Sequence, residues 1–101
     1  MQQYYQPLYQ QARDLQFRVH DQMNDPYHPM AQSLKTEVQQ LTDDLNEQRN
    51  PREIEDRIKT IQHSLMQAQN SGANYMNIDH STAMYHNFEN LRQDVRRMPH
   101  Y

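Results

Sequence analysis

Apolar residues recur along the chain in four segments, each with successive spacings of four, three and four residues. On an α-helix, at 100° per residue, each set stays within an arc of about 60°. A stripe this narrow is typical of helices that pack in a left-handed bundle. The stripe positions are Leu8, Ala12, Leu15 and Val19; Leu34, Val38, Leu41 and Leu45; Ile54, Ile58, Ile61 and Leu65; and Met84, Phe88, Leu91 and Val95. The pattern predicts four helices that share one interior.

Proline and capping residues mark the ends of the second and third helices. Asn50 followed by Pro51 favours an N-cap with proline at the first helical position, so one helix ends and the next begins within a few residues. The segment 24–26, Asn-Asp-Pro, is a second start signal. Pro29 fits only in a first turn, where its missing N–H has no helical acceptor.

Further signals mark the end of the third helix and both ends of the fourth. Gly72 suits the left-handed position that follows a helix, and Asp79 or Ser81 is the expected N-cap of the fourth helix, which Pro99 ends. The predicted helices are 3–23, 26–48, 51–70 and 80–98, with a longer loop at 71–79.

These elements predict an all-α protein, an antiparallel up-down-up-down four-helix bundle in a single domain, 1–101, because short connections force neighbouring helices antiparallel. Ala12 makes the first stripe the weakest, so three helices with a loosely docked N-terminal segment are the alternative. In the loop 71–79, Tyr75, Met76 and Ile78 are expected to fold over one end of the bundle. A binding loop is the other interpretation.

Composition excludes several classes of function. The chain has one Gly and no Cys, which removes glycine-rich phosphate loops, disulfides, thiolate zinc sites and thiol nucleophiles. A net charge of −3 argues against nucleic acid as a partner. The start of the chain lacks a signal-peptide pattern and no apolar run reaches membrane-spanning length, so no transmembrane segment and a cytoplasmic location are expected. The mean hydropathy of −1.26 is low enough to raise disorder, which the periodicity opposes.

The titratable residues predict no catalytic or metal site. None of the six His forms an i, i+4 pair with another, and neither HExxH nor a Glu-x-x-His pair occurs. No nucleophile elbow presents a Ser to a base. We therefore expect no enzyme activity, no cofactor and no bound metal, and an enzymatic or metal-binding bundle is the least favoured alternative.

Phe17 departs from the bundle pattern. It lies two residues from both Leu15 and Val19, about 180° from its own stripe, which would leave a large aromatic side chain in water. Tyr9, Met66 and Tyr85 are each about 100–120° from their stripes and are candidates for the same surface. Aromatic and Met side chains are enriched in protein interfaces. The preferred hypothesis is a non-catalytic interaction protein that binds a protein partner or itself as a homodimer.

The C-terminal residues suggest a second hypothesis. Arg96, Arg97 and Tyr101 form a basic and aromatic tail, which could contact an acidic partner or a lipid surface. In size and helix count the chain is similar to the small bundle proteins that protect producers of bacteriocins, although no motif is shared. By this architectural analogy the alternative is a membrane-proximal, immunity-type protective protein with peripheral membrane contact.

Overall fold

The computed structural model describes residues 4–73 and 75–99, and within them the chain is all-α. The helices are α1 (Tyr5–Asp21), α2 (Pro29–Asn46), α3 (Pro51–Asn70) and α4 (Ile78–Arg96). They form a rod of 42 × 19 × 18 Å. The predicted four-helix fold is confirmed, with α3 at the predicted bounds. The first helix, α1, ends two residues earlier than predicted, α2 is shorter than predicted at both ends, and α4 is shifted two residues towards the N-terminus.

The four stripes form the core. Every stripe residue is at most 6% exposed, and all those of α2 and α3 are at 0%. Ala12, which had suggested a weakly docked first helix, is completely buried where α1 packs. Because α1 contacts both α2 and α4, it is a full member of the bundle and the three-helix alternative is wrong.

Hydrogen bonds between neighbouring helices fix their antiparallel order. Between α2 and α3, Arg57 contacts Asp44 and Ser64 contacts Glu37, so the residue numbers rise on one helix as they fall on the other. The same holds between α3 and α4, where Gln62 contacts Glu89 and Gln69 contacts Ser81. The helices therefore follow one another around the bundle, and the pair α1 and α2 lies on the side opposite α3 and α4.

The first turn of α3 shows the predicted capping chemistry, but the start signal predicted for α2 at 24–26 is wrong because His28 is the N-cap. Asn50 accepts a hydrogen bond from the Arg52 N–H at 2.8 Å, with Pro51 at the first helical position. In α2 the first helical residue is Pro29, and the His28 imidazole accepts from the Met30 N–H at 3.1 Å. The helix therefore begins three residues later than predicted, because Pro29 is tolerated only at the start.

The N-cap predicted for α4 is wrong. Asn77 is the N-cap and accepts a hydrogen bond from the Asp79 N–H at 2.8 Å, so α4 begins before both Asp79 and Ser81. Gly72 has a φ of 73°, the left-handed conformation predicted for the position after α3. Gln48 has a φ of 57° just after α2, where no Gly is available.

The loop between α3 and α4 closes one end of the bundle. Tyr75 and Met76 are 1% and 7% exposed, as predicted for a cap. The Tyr75 carbonyl accepts the Asn24 N–H at 2.6 Å, and Met76 pairs with Met23 through an isolated antiparallel bridge. Ile78 was expected in this cap, but it is 62% exposed at the first residue of α4. The two loops at this end therefore hold each other in place.

Candidate functional site

A groove of about 550 Å³ lies between α1 and α2. One wall carries Tyr9, Arg13 and Phe17 of α1, and the facing wall carries side chains of α2 that are all polar or charged except Val38. The volume is similar to that of small-molecule pockets, about 300–1,000 Å³. We call it the α1/α2 groove.

The aromatic wall of the α1/α2 groove is organised around Arg13. Its guanidinium carbon lies 5.8 Å from the ring centroid of Tyr9 and 5.9 Å from that of Phe17, distances typical of cation–π contacts. Arg13 also donates a hydrogen bond to the Tyr9 hydroxyl at 3.3 Å. Residues four apart on a helix are neighbours, so Tyr9, Arg13 and Phe17 form one continuous ridge. Phe17 is 61% exposed and Tyr9 is partly buried against the core.

A chain of polar contacts forms the floor between the two helices. Thr42 is 5% exposed; its single hydroxyl proton is within hydrogen-bond reach of both the Val38 carbonyl and the Gln16 side-chain carbonyl. The Gln16 amide donates to Gln39, and the Gln39 amide donates to Asp43 at 3.0 Å. These bonds satisfy the buried hydroxyl and fix the level at which α1 faces α2.

The structure brings together two of the four residues predicted for an interaction surface. Tyr9 and Phe17 both line the α1/α2 groove. Met66 is 44% exposed on α3, and Tyr85 packs partly buried on α4, where its ring meets that of His86 edge-on at 5.9 Å. Because α3 and α4 form the opposite side of the bundle, Met66 and Tyr85 are outside the groove.

The facing wall was not predicted. Lys35, Gln39 and Asp43 lie on α2 at intervals of four residues and all line the groove. Their spacing places them along one side of a helix, which the sequence shows. They lie opposite Phe17 only because α2 is the neighbour of α1 and the two helices are aligned at this level. The apolar stripes do not encode that alignment.

The C-terminal arginines are engaged within the protein. Arg96 pairs with Glu55 at 2.6 Å and Arg97 with Asp94 at 3.4 Å. Tyr101, the third residue of the predicted tail, lies outside the described residues, so the tail hypothesis stays a prediction. Within the described ranges, no helix combines the length and the apolar character needed to cross a membrane.

An ion network joins α3 to α4. Arg92 contacts Glu55 at 3.1 Å and Glu89 at 2.6 Å, and Gln62, 6% exposed, donates to Glu89 at 3.0 Å. Hydrogen bonds from Arg92, Gln62 and Gln93 lower the pKa of Glu89 to about 2. Burial alone would raise the pKa of Glu55, but the hydrogen bond and charge of Arg96, with further help from Arg92, lower it.

This network predicts acid sensitivity. A carboxyl group whose pKa is lower in the folded chain stabilises the fold above its ordinary pKa, and that contribution is lost as the pH falls through the folded value. Stability should therefore fall between pH 4.5 and about 2, the ordinary and folded pKa values of Glu89. In Glu89→Gln this fall should be smaller, as measured by urea unfolding at several pH values. Glu47→Gln is the matched control because Glu47 is half exposed and pairs with the equally exposed Arg49; an equal change in both variants would contradict the prediction.

The Ser64 hydroxyl contacts Glu37 between α2 and α3. It lies 2.8 and 3.0 Å from the two carboxylate oxygens. Burial raises the pKa of Glu37 despite this hydrogen bond and the nearby charges of Arg57 and His63. The sequence does not reveal this pair, because its partners are on different helices. It joins two helices and resembles a packing contact more than a nucleophile activated by a base.

Over 4–73 and 75–99, no three side chains of His, Asp or Glu come close enough together to hold a metal ion. Comparison of the chain with known protein families, curated proteins and solved structures gave no match. The function must therefore be inferred from the surface chemistry of the chain itself.

Proposed function

We propose that this is a non-catalytic interaction protein and that the α1/α2 groove is its binding surface for a protein. The observation that carries the proposal is the exposure of Phe17, 61%, on the wall of a groove of about 550 Å³. An isolated exposed aromatic is common on protein surfaces. Phe17 differs because it adjoins a concave surface and a stacked Arg13.

Burial against a partner would gain free energy at this position. Fully burying a Phe side chain contributes about 1.5–3 kcal/mol from the area removed from water. Arg and aromatic residues are the types that dominate interface energetics. Since Arg13 already stacks between Tyr9 and Phe17, less side-chain entropy is lost when the ridge is covered.

The chemistry of the groove favours binding over catalysis. Asp43 is the one carboxylate and His20 the one imidazole among the described residues that line it, and the Asp43 carboxylate is hydrogen-bonded by the Gln39 amide, not by His20. Acid–base catalysis by paired carboxylates would need a second such group nearby. The side chains that face the groove are instead an aromatic ridge carrying Arg13 and, opposite it, a mostly polar wall; aromatic residues and Arg are enriched in protein interfaces.

Phe17→Ser should reduce binding without affecting folding. The ring is mostly exposed, so the free energy of unfolding should change by no more than about 0.5 kcal/mol. Mass by light scattering over a range of concentrations measures self-association, and capture from extract with the native chain and the variant as baits measures binding to other proteins. Self-association and binding to other proteins should each be weaker in Phe17→Ser than in the native chain.

Met66→Ser is the matched control for this experiment. It also replaces an exposed apolar side chain, but on α3 and outside the groove. Met66→Ser should retain the self-association or protein binding that Phe17→Ser loses. If Phe17→Ser alters neither the mass nor the set of captured proteins, the proposed function fails.

A further inference from the structure

We propose that the occupant of the α1/α2 groove is a second copy of this chain, related by a two-fold axis that passes near Gln39. This rests on the proposed function, because it names the partner of the same surface. Two observations carry it: opposite charges lie on either side of Gln39, and Phe17 lies at the level of Gln39.

The charges have the arrangement that a two-fold interface requires. Lys35 precedes Gln39 by four residues and Asp43 follows it by four, so each lies about 6 Å from Gln39 along the axis of α2. In a two-fold dimer the same patch is used twice, and residue i of one copy meets residue j of the other in both directions. An axis at Gln39 therefore places Lys35 against Asp43 of the partner subunit, twice.

Both charged groups are available for this contact. Among the described residues, neither Lys35 nor Asp43 takes part in an ion pair within the chain. The Asp43 carboxylate accepts one hydrogen bond, from Gln39, which leaves further acceptor positions. The two ion pairs would form at the rim of the groove, where they select the alignment of the two copies.

Phe17 lies where the axis passes. Its neighbour Gln16 is hydrogen-bonded to Gln39, so the two helices are at the same level at this point. The two copies of Phe17 would therefore meet near the axis and cover each other's exposed surface. Offset or edge-to-face contact between aromatic rings is favourable beyond the area that they bury.

A second copy matches the groove better than a partner of uniform charge does. The groove carries Arg13 and Lys35 together with Asp43. An acidic surface would meet Asp43 with like charge, and a basic surface would meet Arg13 and Lys35 with like charge. A copy turned by the two-fold axis presents the opposite charge at both Lys35 and Asp43.

Charge reversal tests this arrangement. With rising concentration, the native chain should approach twice the 12.3 kDa mass of one chain in light scattering. Lys35→Glu alone and Asp43→Lys alone should each raise the dimer Kd about tenfold or more, since each converts both ion pairs into like-charge contacts. The double variant Lys35→Glu/Asp43→Lys should restore the dimer, because the exchanged charges again lie opposite each other.

The controls separate this inference from general charge effects. Lys59→Glu changes the net charge as Lys35→Glu does, but at an exposed position of α3 outside the groove. It should leave the dimer Kd unchanged. Far-UV circular dichroism of each variant verifies that the helices are intact.

Three results would overturn the inference: a monomer at every concentration, a dimer insensitive to both reversals, or single variants that the double variant does not rescue. A monomeric chain whose capture of another protein is lost in Phe17→Ser would overturn the second copy as occupant and leave the proposed function standing.

Discussion

Phe88→Ala is expected to lower the free energy of unfolding by about 3–5 kcal/mol, the usual cost of removing a buried aromatic side chain. Phe17→Ala is expected to change it by no more than about 0.5 kcal/mol. These are the two Phe residues of the chain; Phe88 is 0% exposed and Phe17 is 61% exposed. The same substitution therefore distinguishes a core position from a surface position in one protein.

The size of the Phe88 effect follows from the narrowness of the core. Each helix buries one stripe, and Phe88 is the only aromatic among the stripe residues. Its removal leaves a cavity that close-packed neighbours fill only partly. Natural domains are stable by about 5–15 kcal/mol, so this single change removes a large share of that margin.

Urea unfolding followed by circular dichroism measures the Phe88 prediction. Phe88→Leu should lose less than Phe88→Ala, since it retains most of the buried volume. Phe17→Ala provides the exposed control. A loss in Phe17→Ala as large as that in Phe88→Ala would mean that Phe17 is part of the stabilising core, which would also remove the basis of the proposed function.

The sequence predicts the bundle well because helical periodicity reports burial directly. An apolar residue at every third or fourth position has to face the same direction, whichever helix it later packs against. Local signals at Asn50, Pro51 and Gly72 were equally informative. Each meets a requirement of the adjacent turn: a hydrogen-bond acceptor at the start of a helix or a positive φ at its end. None of these requirements depends on the rest of the fold.

The errors occur where local signals are degenerate. Asn77, Asp79 and Ser81 are all good N-cap types, so the start of α4 cannot be chosen from the residue types alone. The pairing of Met76 with Met23 comes immediately before Asn77 and selects it. The same loop has no regular periodicity that separates buried from exposed side chains. Ile78 was therefore predicted to be buried like Tyr75, although it faces solvent.

The candidate site was predicted in part for a related reason. Phe17 and Tyr9 stand out because they lie away from the apolar stripe of their own helix. The sequence of that one helix is enough to show this. The wall formed by Lys35 and Asp43 becomes visible only when α2 is placed beside α1 at the level set by Gln16 and Gln39. Surfaces shared by two helices depend on tertiary packing, which a single sequence specifies only indirectly.

Tyr75→Ala is expected to have the second large effect, a loss of about 3–5 kcal/mol, similar to that for other large buried aromatic side chains. Tyr75 is 1% exposed, and its ring lies 5.7 Å from that of His28. Its carbonyl accepts the N–H groups of Asn24 and Asp25, so loss of the ring should also loosen the contact between the two loops. Hydrogen exchange should then increase at these two amides as well as globally.

Tyr27→Ala is the matched control for Tyr75→Ala, because Tyr27 belongs to the same end of the bundle but is 83% exposed. Urea unfolding should show little change in this variant. If Tyr75→Ala is as stable as Tyr27→Ala, the loop 71–79 does not act as a structural cap and the interpretation of it as a binding loop gains weight.

The hydroxyl of Tyr75 adds a test at alkaline pH. Burial, together with the negative charge of Glu37, raises the pKa of Tyr75 above its ordinary value of 10.0. The folded chain therefore favours the neutral phenol; that contribution is fully present below pH 10 and is lost as the pH rises through the folded pKa, because the unfolded chain ionises first. Tyr75→Phe keeps the ring and cannot ionise, so it should lose less stability than the native chain as the pH rises above 10. An identical alkaline loss in both chains would mean that the pKa of Tyr75 is the same in the folded and the unfolded chain, which would contradict the burial of its hydroxyl.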